Sequence, residues 1–175
     1  MSERRVIKLD GVQSFIVGTI GQPGEREFFL QAKYNSTINS FGIDKSQVVA
    51  LADRLSILIN ELKNKDFRFE NVIPVPLQLP LINEFQVGVM GIAWLNQTEQ
   101  VEIELQAFAE EVFDLVPIEM EGPEIAKIMM SADIANHFLS LARKVVAAGR
   151  QPCPFCGLPI NLDGHLCPRA NGYRR

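Results

Sequence analysis

Alternating apolar and polar residues predict β-strands in the first part of the chain. Residues 26–34 place apolar side chains at every second position, which is typical of a half-buried strand. Residues 13–20 are rich in β-branched and aromatic side chains, and the turn sequence Gly-Gln-Pro-Gly at 21–24 separates the two segments. We therefore expect residues 13–34 to form a β-hairpin, preceded by a short strand over residues 5–9.

Apolar residues at helical spacing predict two helices. The first follows Asp44, a good N-cap residue, and Gln47 completes a capping box. Its apolar residues form one broad stripe: Val48, Leu51, Ala52, Leu55, Leu58, Ile59 and Leu62. The second begins at Ser131, runs to about residue 148 and has its own stripe: Ile134, Ala135, Phe138, Leu141, Ala142, Val145 and Val146. Both stripes predict helices packed on a sheet.

Three further strands are predicted between the helices, over residues 84–95, 101–107 and 124–130. Before them, residues 71–83 contain three prolines among apolar residues. Because proline lacks the N–H that a central strand donates, we expect an extended crossing segment there.

The predicted fold class is α+β. We expect antiparallel strands in two βββα-like halves, two main helices packed on the sheet, and a small C-terminal zinc knuckle. The predicted domains are an α+β body over residues 1–150, with halves at about 1–70 and 84–150, and a zinc-binding segment over 151–175. The two halves share a pattern rather than residues, so the pattern alone leaves a true duplication open.

Composition and cysteine usage narrow the class of protein. Hydrophobic residues make up 47% and charged residues 22% of the 175 residues, as in a globular protein. No apolar run reaches the length of a membrane span, and charges interrupt the start of the chain where a signal peptide would be apolar. We expect a cytoplasmic protein without membrane contact. In that reducing compartment, three clustered cysteines favour metal binding over disulfides.

The C-terminal segment has the ligand spacing of a metal site. Cys153 and Cys156 stand two residues apart from each other, and His165 and Cys167 follow after a turn-rich stretch. Three thiolates and one imidazole match tetrahedral zinc, and four protein ligands leave no open position for a catalytic water. We therefore predict one structural zinc ion. A redox Cys-x-x-Cys pair and an iron centre are the alternatives, but the first leaves His165 and Cys167 without a role, and the second usually takes four cysteines.

Charge is distributed unevenly along the chain. Nine acidic residues and no lysine or arginine lie between Glu99 and Glu124, whereas residues 143–175 contain six basic residues and one acid. The residues after the zinc ligands form a candidate site for an anion or a partner: Arg169, Asn171, Tyr173, Arg174 and Arg175. The alternative is that this tail folds back on the acidic strand face that includes Glu102 and Glu104.

The sequences CPFCG, GHLCPRANGYRR and GTIGQPGEREFFLQAKY make this chain resemble an uncharacterised bacterial family of conserved hypothetical proteins. The likeness covers nearly the whole chain and is most specific at residues 147–175 and 18–34. It implies a cytosolic bacterial protein with a zinc-ribbon-like end, commonly encoded beside a histidine-phosphatase-like and a lipid-kinase-like protein. The resemblance implies no catalytic role for any residue.

No catalytic motif accompanies the metal site. The chain lacks a nucleophile elbow, a His-Glu metal motif, a phosphate-binding loop and a dinucleotide fingerprint. We regard His137 as a surface or boundary residue, Trp94 as a packing residue, and the carboxylates at 110, 111 and 114 as solvated.

The leading hypothesis is a non-enzymatic binding or adaptor protein that contacts a protein or an anionic ligand with its zinc knuckle and basic tail. Nucleic acid is a weaker candidate partner. The alternative is an enzyme or enzyme subunit acting on a phosphorylated small molecule, in which arginines hold the anion and an acidic residue from 99–124 works opposite them. A homodimer braced by the zinc ends is a third hypothesis.

Overall fold

A computed structural model describes residues 3–22, 24–148, 153–158 and 166–169. Among them, seven strands form one sheet with two helices, which confirms the α+β class. The elements in chain order are β1 (Val6–Asp10), β2 (Ser14–Ile20), β3 (Glu27–Tyr34), β4 (Thr37–Ile43), α1 (Lys45–Asn64), β5 (Asn83–Leu95), β6 (Gln100–Ala107), β7 (Ile125–Ser131) and α2 (Ala132–Ala147).

The sheet consists of two antiparallel meanders, each followed by a helix. Strands β2, β3 and β4 pair antiparallel and lead into α1, while β5, β6 and β7 do the same before α2. Two parallel pairs, β4 with β5 and β7 with β1, join the meanders in the order β1-β7-β6-β5-β4-β3-β2. Two βββα-like halves are therefore present, but the first consists of β2, β3 and β4 rather than of the predicted strands over residues 5–9, 13–20 and 26–34, because β1 pairs with β7.

The chain crosses between the two meanders in the same way twice. Strand β5 pairs first with β4, up to Gln86, and from Val87 onwards with β6. A similar change of partner occurs between β1 and β2. There, the Val12 N–H donates to the Met129 carbonyl of β7, and the next residue, Gln13, donates its N–H to the Lys33 carbonyl of β3. This short connection therefore links β1 and β2, which stand at opposite ends of the strand order.

Strand β4 is a difference from the sequence prediction, which left residues 35–43 unassigned. It pairs with β3 from Thr37 to Ile43 across a tight turn in which Asn35 takes a positive φ of 54°. Local propensity missed it because Asn39, Ser40 and Gly42 are poor strand formers. It is stabilised by the hairpin with β3 and by parallel pairing with β5, whose residues are distant in the sequence.

Both predicted helix starts are confirmed. The Asp44 backbone N–H donates to Gln47 Oε1 at 3.0 Å in a capping box, and Ser131 Oγ accepts from the Ile134 N–H at 3.3 Å. The two helices pack against each other, and α2 also contacts β2. The Phe15 and Phe138 rings, with centroids 4.7 Å apart, mark the centre of this layer. No helix in the described ranges is both long and apolar enough to cross a bilayer.

The proline-rich segment between the halves contains no helix or strand over residues 67–82. A buried amide holds it: Gln31 Nε2 donates to the Gln78 carbonyl at 3.1 Å, and the Gln78 N–H donates back to Gln31 Oε1 at 2.8 Å. Leu77 packs over Gly18 of β2. The segment therefore crosses the sheet along a defined path.

Hydrogen bonds from two polar side chains, Arg4 and Gln106, hold the acidic loop over residues 108–124. Arg4 donates to the backbone carbonyls of Pro123 at 2.6 Å and Pro117 at 2.7 Å. Gln106, with an exposed fraction of 0%, donates to the Asp114 carbonyl at 3.0 Å and accepts from the Val116 N–H at 2.8 Å. An irregular loop is thereby held to the sheet by hydrogen bonds.

Replacing Gln106 with leucine should lower the free energy of unfolding by about 2 kcal/mol, because the Val116 N–H and the Asp114 carbonyl each lose a buried partner. Urea denaturation measures the change. Gln97→Leu in an exposed turn is the matched control and should change stability by less than about 0.5 kcal/mol. Equal stability of the two variants would show that the amide does not hold the loop.

Candidate metal centre

Three cysteine thiols converge in the C-terminal segment. The Sγ atoms of Cys153, Cys156 and Cys167 all lie within 4.8 Å of one another, and those of Cys153 and Cys167 are 3.6 Å apart. Around a tetrahedral zinc with Zn–S bonds of about 2.3 Å, neighbouring sulfurs lie about 3.8 Å apart. The observed cluster therefore has the dimensions that one metal ion requires of three thiolates.

A tight backbone turn places the first two sulfurs. The Cys153 N–H donates to the Leu158 carbonyl at 2.7 Å, and the Gly157 N–H donates to the Cys153 carbonyl at 2.8 Å. Gly157 has a φ of 73°, a left-handed conformation that glycine adopts without steric cost. These hydrogen bonds make a knuckle in which Cys153 and Cys156 face the same centre.

The knuckle also prepares one thiol for metal binding. Hydrogen bonds from the backbone N–H groups of Phe155 and Cys156 lower the pKa of Cys153 to about 6. Burial has the opposite effect on Cys156 and raises the pKa of that thiol. Because metals bind the thiolate, the lowered pKa of Cys153 favours it as a ligand.

The remaining predicted site residues differ in what the structure says of them. Arg169 is exposed, and its Nη1 donates to the Phe155 carbonyl at 3.2 Å. This contact joins Arg169 to the knuckle. The fourth predicted ligand, His165, lies outside the described residues, as do these members of the predicted tail: Asn171, Tyr173, Arg174 and Arg175.

Residues 7–167 match the model of a family described as "Protein of unknown function (DUF3090)". The chain belongs to this family. The match confirms the resemblance to an uncharacterised family, and it spans the three cysteines but ends before Arg169. No curated protein and no solved structure matches the chain.

The acidic strand face, on which the tail was expected to fold in the alternative hypothesis, already contains a lysine. In this DUF3090 domain, Lys127 Nζ lies 3.4 Å from a Glu102 carboxylate oxygen and 3.8 Å from one of Glu104. Lys127 stands opposite Glu104 in the β6–β7 register. Part of the negative charge on this face is therefore balanced within the sheet.

The other residues weighed from the sequence form no site among the described residues. His137 is half-buried on α2, and Trp94 packs edge-on against Phe67 with ring centroids 6.3 Å apart. Glu110 and Glu111 are exposed in the acidic loop. Among the described residues, the cysteine cluster brings three potential metal ligands together, and no acidic group does so.

Sequence reasoning missed a cleft of about 700 Å³ at the start of α1. Two cations line it, Arg26 and Lys45, together with the side chains of strands β3 and β5. Neither Arg169 nor a carboxylate from residues 99–124 is part of its lining. Two of its lining residues, Asp44 and Gln47, were recognised in the sequence, but as helix-capping residues rather than as part of a site.

Proposed function

We propose that this DUF3090 protein binds one structural zinc ion through Cys153, Cys156, His165 and Cys167, and that the zinc-stabilised end serves as a binding module for a partner. The observation that supports the proposal is the convergence of three thiol Sγ atoms within 4.8 Å of one another. Three thiolates are soft ligands of the kind that select zinc. A fourth protein ligand closes the shell, which suits a structural ion rather than a hydrolytic one.

A short segment of this kind needs a metal. Phe155, Leu158 and Leu166 are exposed, so the described part of the segment buries little apolar surface apart from its cysteines. Binding of a structural zinc contributes on the order of 10 kcal/mol in comparable small modules. That is enough to replace a hydrophobic core.

Metal analysis of the purified protein tests the zinc proposal. Inductively coupled plasma mass spectrometry should find about one zinc per chain, and the thiols should react with a thiol reagent only after a chelator removes the metal. Less than about half an equivalent of zinc, with three thiols titrating freely in the native protein, would contradict it.

The binding role is proposed for the basic end that follows the ligands. Arg169 is held at the knuckle by the Phe155 carbonyl, and among the described residues its guanidinium donates no other hydrogen bond, although it has five N–H donors. The proposed partner is a protein or an anionic ligand. Nucleic acid is less favoured because the chain carries a formal net charge of −4.

Deleting residues 168–175 should abolish partner capture in a pull-down while leaving both the fold and the zinc content unchanged. All four proposed ligands precede the deletion, so zinc content is the internal control. Capture by the shortened protein equal to that of the full chain would contradict the role of the tail. Light scattering with and without a chelator tests separately whether zinc ends brace a homodimer.

A second candidate function is supported by the cleft beside α1. An enzyme or enzyme subunit acting on a phosphorylated small molecule needs cations in a concave site, and Arg26 and Lys45 meet that need. The version with Arg169 opposite a carboxylate of residues 99–124 finds no support in the lining of this cleft.

A further inference from the structure

The cleft lies where β5 leaves β4 and turns to β6. Its volume of about 700 Å³ falls within the range of sites for small molecules. Four stretches distant in sequence meet there: the start of β3, the junction of β4 with α1, the first half of β5, and Phe108 just after β6. The register of β4 with β5 shifts between Ser40 and Gly42, and that of β5 with β6 between Val87 and Val89. The cleft is the space that this change of partner opens.

Backbone hydrogen bonds join the strands at the corresponding crossing in the other half. There, the N–H groups of Gly11 and Val12 both bond to the Met129 carbonyl, and Val12 is buried. At the cleft, the Phe108 N–H donates to the Gln86 carbonyl at 2.8 Å, and a side chain adds further links: Gln47 Nε2 donates to the carbonyls of Val87 at 3.1 Å and Gly88 at 3.2 Å. The walls are therefore fixed relative to each other while the space between them stays open.

Amide side chains occupy one wall. Gly42 has no side chain, and the amides of Asn83 and Gln86 lie against it. Asn83 Oδ1 accepts from the Gly42 N–H at 2.8 Å, and a Cβ placed on Gly42 would collide with Gln86 Oε1. With Gln47, three amides line the cleft. Such groups can donate to and accept from a polar ligand.

Cations and aromatic rings complete the lining. The guanidinium of Arg26 is anchored by an Nη1 hydrogen bond to the Ala148 carbonyl at 2.9 Å, which uses one of its five N–H donors. Lys45 is half-buried at the first position of α1, and Phe29 and Phe108 line the cleft as apolar surfaces. Two carboxylates also line it. Asp44 is the N-cap of α1, and Glu27 is exposed on β3.

We propose that this cleft binds a small organic anion, with an oxyanion head group at Arg26 and Lys45 and a planar apolar part against Phe29 and Phe108. Arginine recognises the shared geometry of phosphate and carboxylate through paired N–H donors, and lysine adds a point charge. A wall of amides and aromatic side chains around few charges is typical of small-molecule sites. None of the described residues of the zinc module, 153–158 and 166–169, lines the cleft.

Two minimal probes, phenyl phosphate and benzoate, test the proposal by NMR titration of the isotopically labelled full chain. At least one should shift the backbone resonances of Gly42, Gly88 and Phe108 in a saturable way, with a dissociation constant of about 1 mM or lower. Tighter binding of phenyl phosphate would identify phosphate as the head group, and tighter binding of benzoate would identify carboxylate. Benzyl alcohol is the neutral control. If benzyl alcohol bound as tightly as the two anions, the proposal of an anionic head group would be wrong.

Charge variants of the lining give effects of opposite sign. Arg26→Gln and Lys45→Gln should each weaken binding of the better probe about tenfold, while Glu27→Gln should tighten it a few-fold by removing a negative charge. The exposed Arg68→Gln, which lies outside the lining, is the control for net charge and should bind like the parent. The absence of a saturable shift up to about 20 mM probe, or equal affinities across the four variants, would overturn the site. Zinc content measured in the same samples tests the zinc proposal separately, so that a failure of one proposal can be distinguished from a failure of the other.

Discussion

Replacing Phe138 with alanine should lower the free energy of unfolding by about 3–5 kcal/mol. The Phe138 side chain has an exposed fraction of 0%, and its ring centroid lies 4.7 Å from that of Phe15, which is 1% exposed. Truncation removes the ring contact and leaves a cavity between α2 and the sheet. Because β2 is held by β3 and α2 packs on α1, neither wall can close the cavity easily.

Urea denaturation with an unchanged m-value is the measurement, and two variants of the same helix calibrate it. Phe138→Leu keeps most of the volume and should cost less than half as much as alanine. The exposed Ser140→Ala should stay within about 0.5 kcal/mol of the parent. A loss below about 1 kcal/mol for Phe138→Ala would mean that α2 does not pack on β2 as the structure has it.

Helical periodicity predicted this face of α2 but not the depth of each position. Of the predicted stripe, Phe138, Ala135 and Ala142 are fully buried, whereas Ile134 and Val145 are only partly covered. Periodicity identifies an apolar side, and the position of the neighbouring helix and strands decides which part of that side becomes core. The prediction was therefore correct for the element and incomplete for its packing.

Long-range pairing explains what the sequence left undetermined about the sheet. Strand β4 contains weak strand formers, and one of its two partners, β5, is distant in the sequence. The parallel pairing of β1 with β7 joins residues separated by more than a hundred positions, and no local pattern encodes it. The order of the seven strands could not be read from periodicity for the same reason.

The two candidate sites differ in how visible they are in the sequence. Cys153, Cys156 and Cys167 lie within one short segment, so their spacing alone predicted that they would converge. The cleft joins Arg26, Lys45 and Phe108, which come from three distant segments and carry no motif. A site created by a change of strand partner becomes visible only when the sheet is known.

Cys167→Ser should remove stoichiometric zinc and release the knuckle, while the body stays folded. Serine is a poor zinc ligand, and the loss of one of three thiolates leaves an open and weak site. Metal binding supplies the folding free energy of such a segment. The amide hydrogen of Cys153, which is bonded to the Leu158 carbonyl, should therefore exchange rapidly with solvent in the variant. Zinc content and hydrogen exchange of residues 153–158 measure the two effects.

Leu166→Ala is the matched control for Cys167→Ser. Leu166 is adjacent in sequence and 86% exposed, so its truncation should leave both zinc content and exchange protection unchanged. The stability of the body provides a second comparison. Because the sheet and helices contain their own core, their free energy of unfolding should lie within about 0.5 kcal/mol of the parent value in both variants. A Cys167→Ser protein that retains about one zinc per chain would exclude Cys167 as a ligand. A body destabilised by several kcal/mol would instead show that the zinc module supports the sheet, because the linked binding free energy would then act on the whole fold.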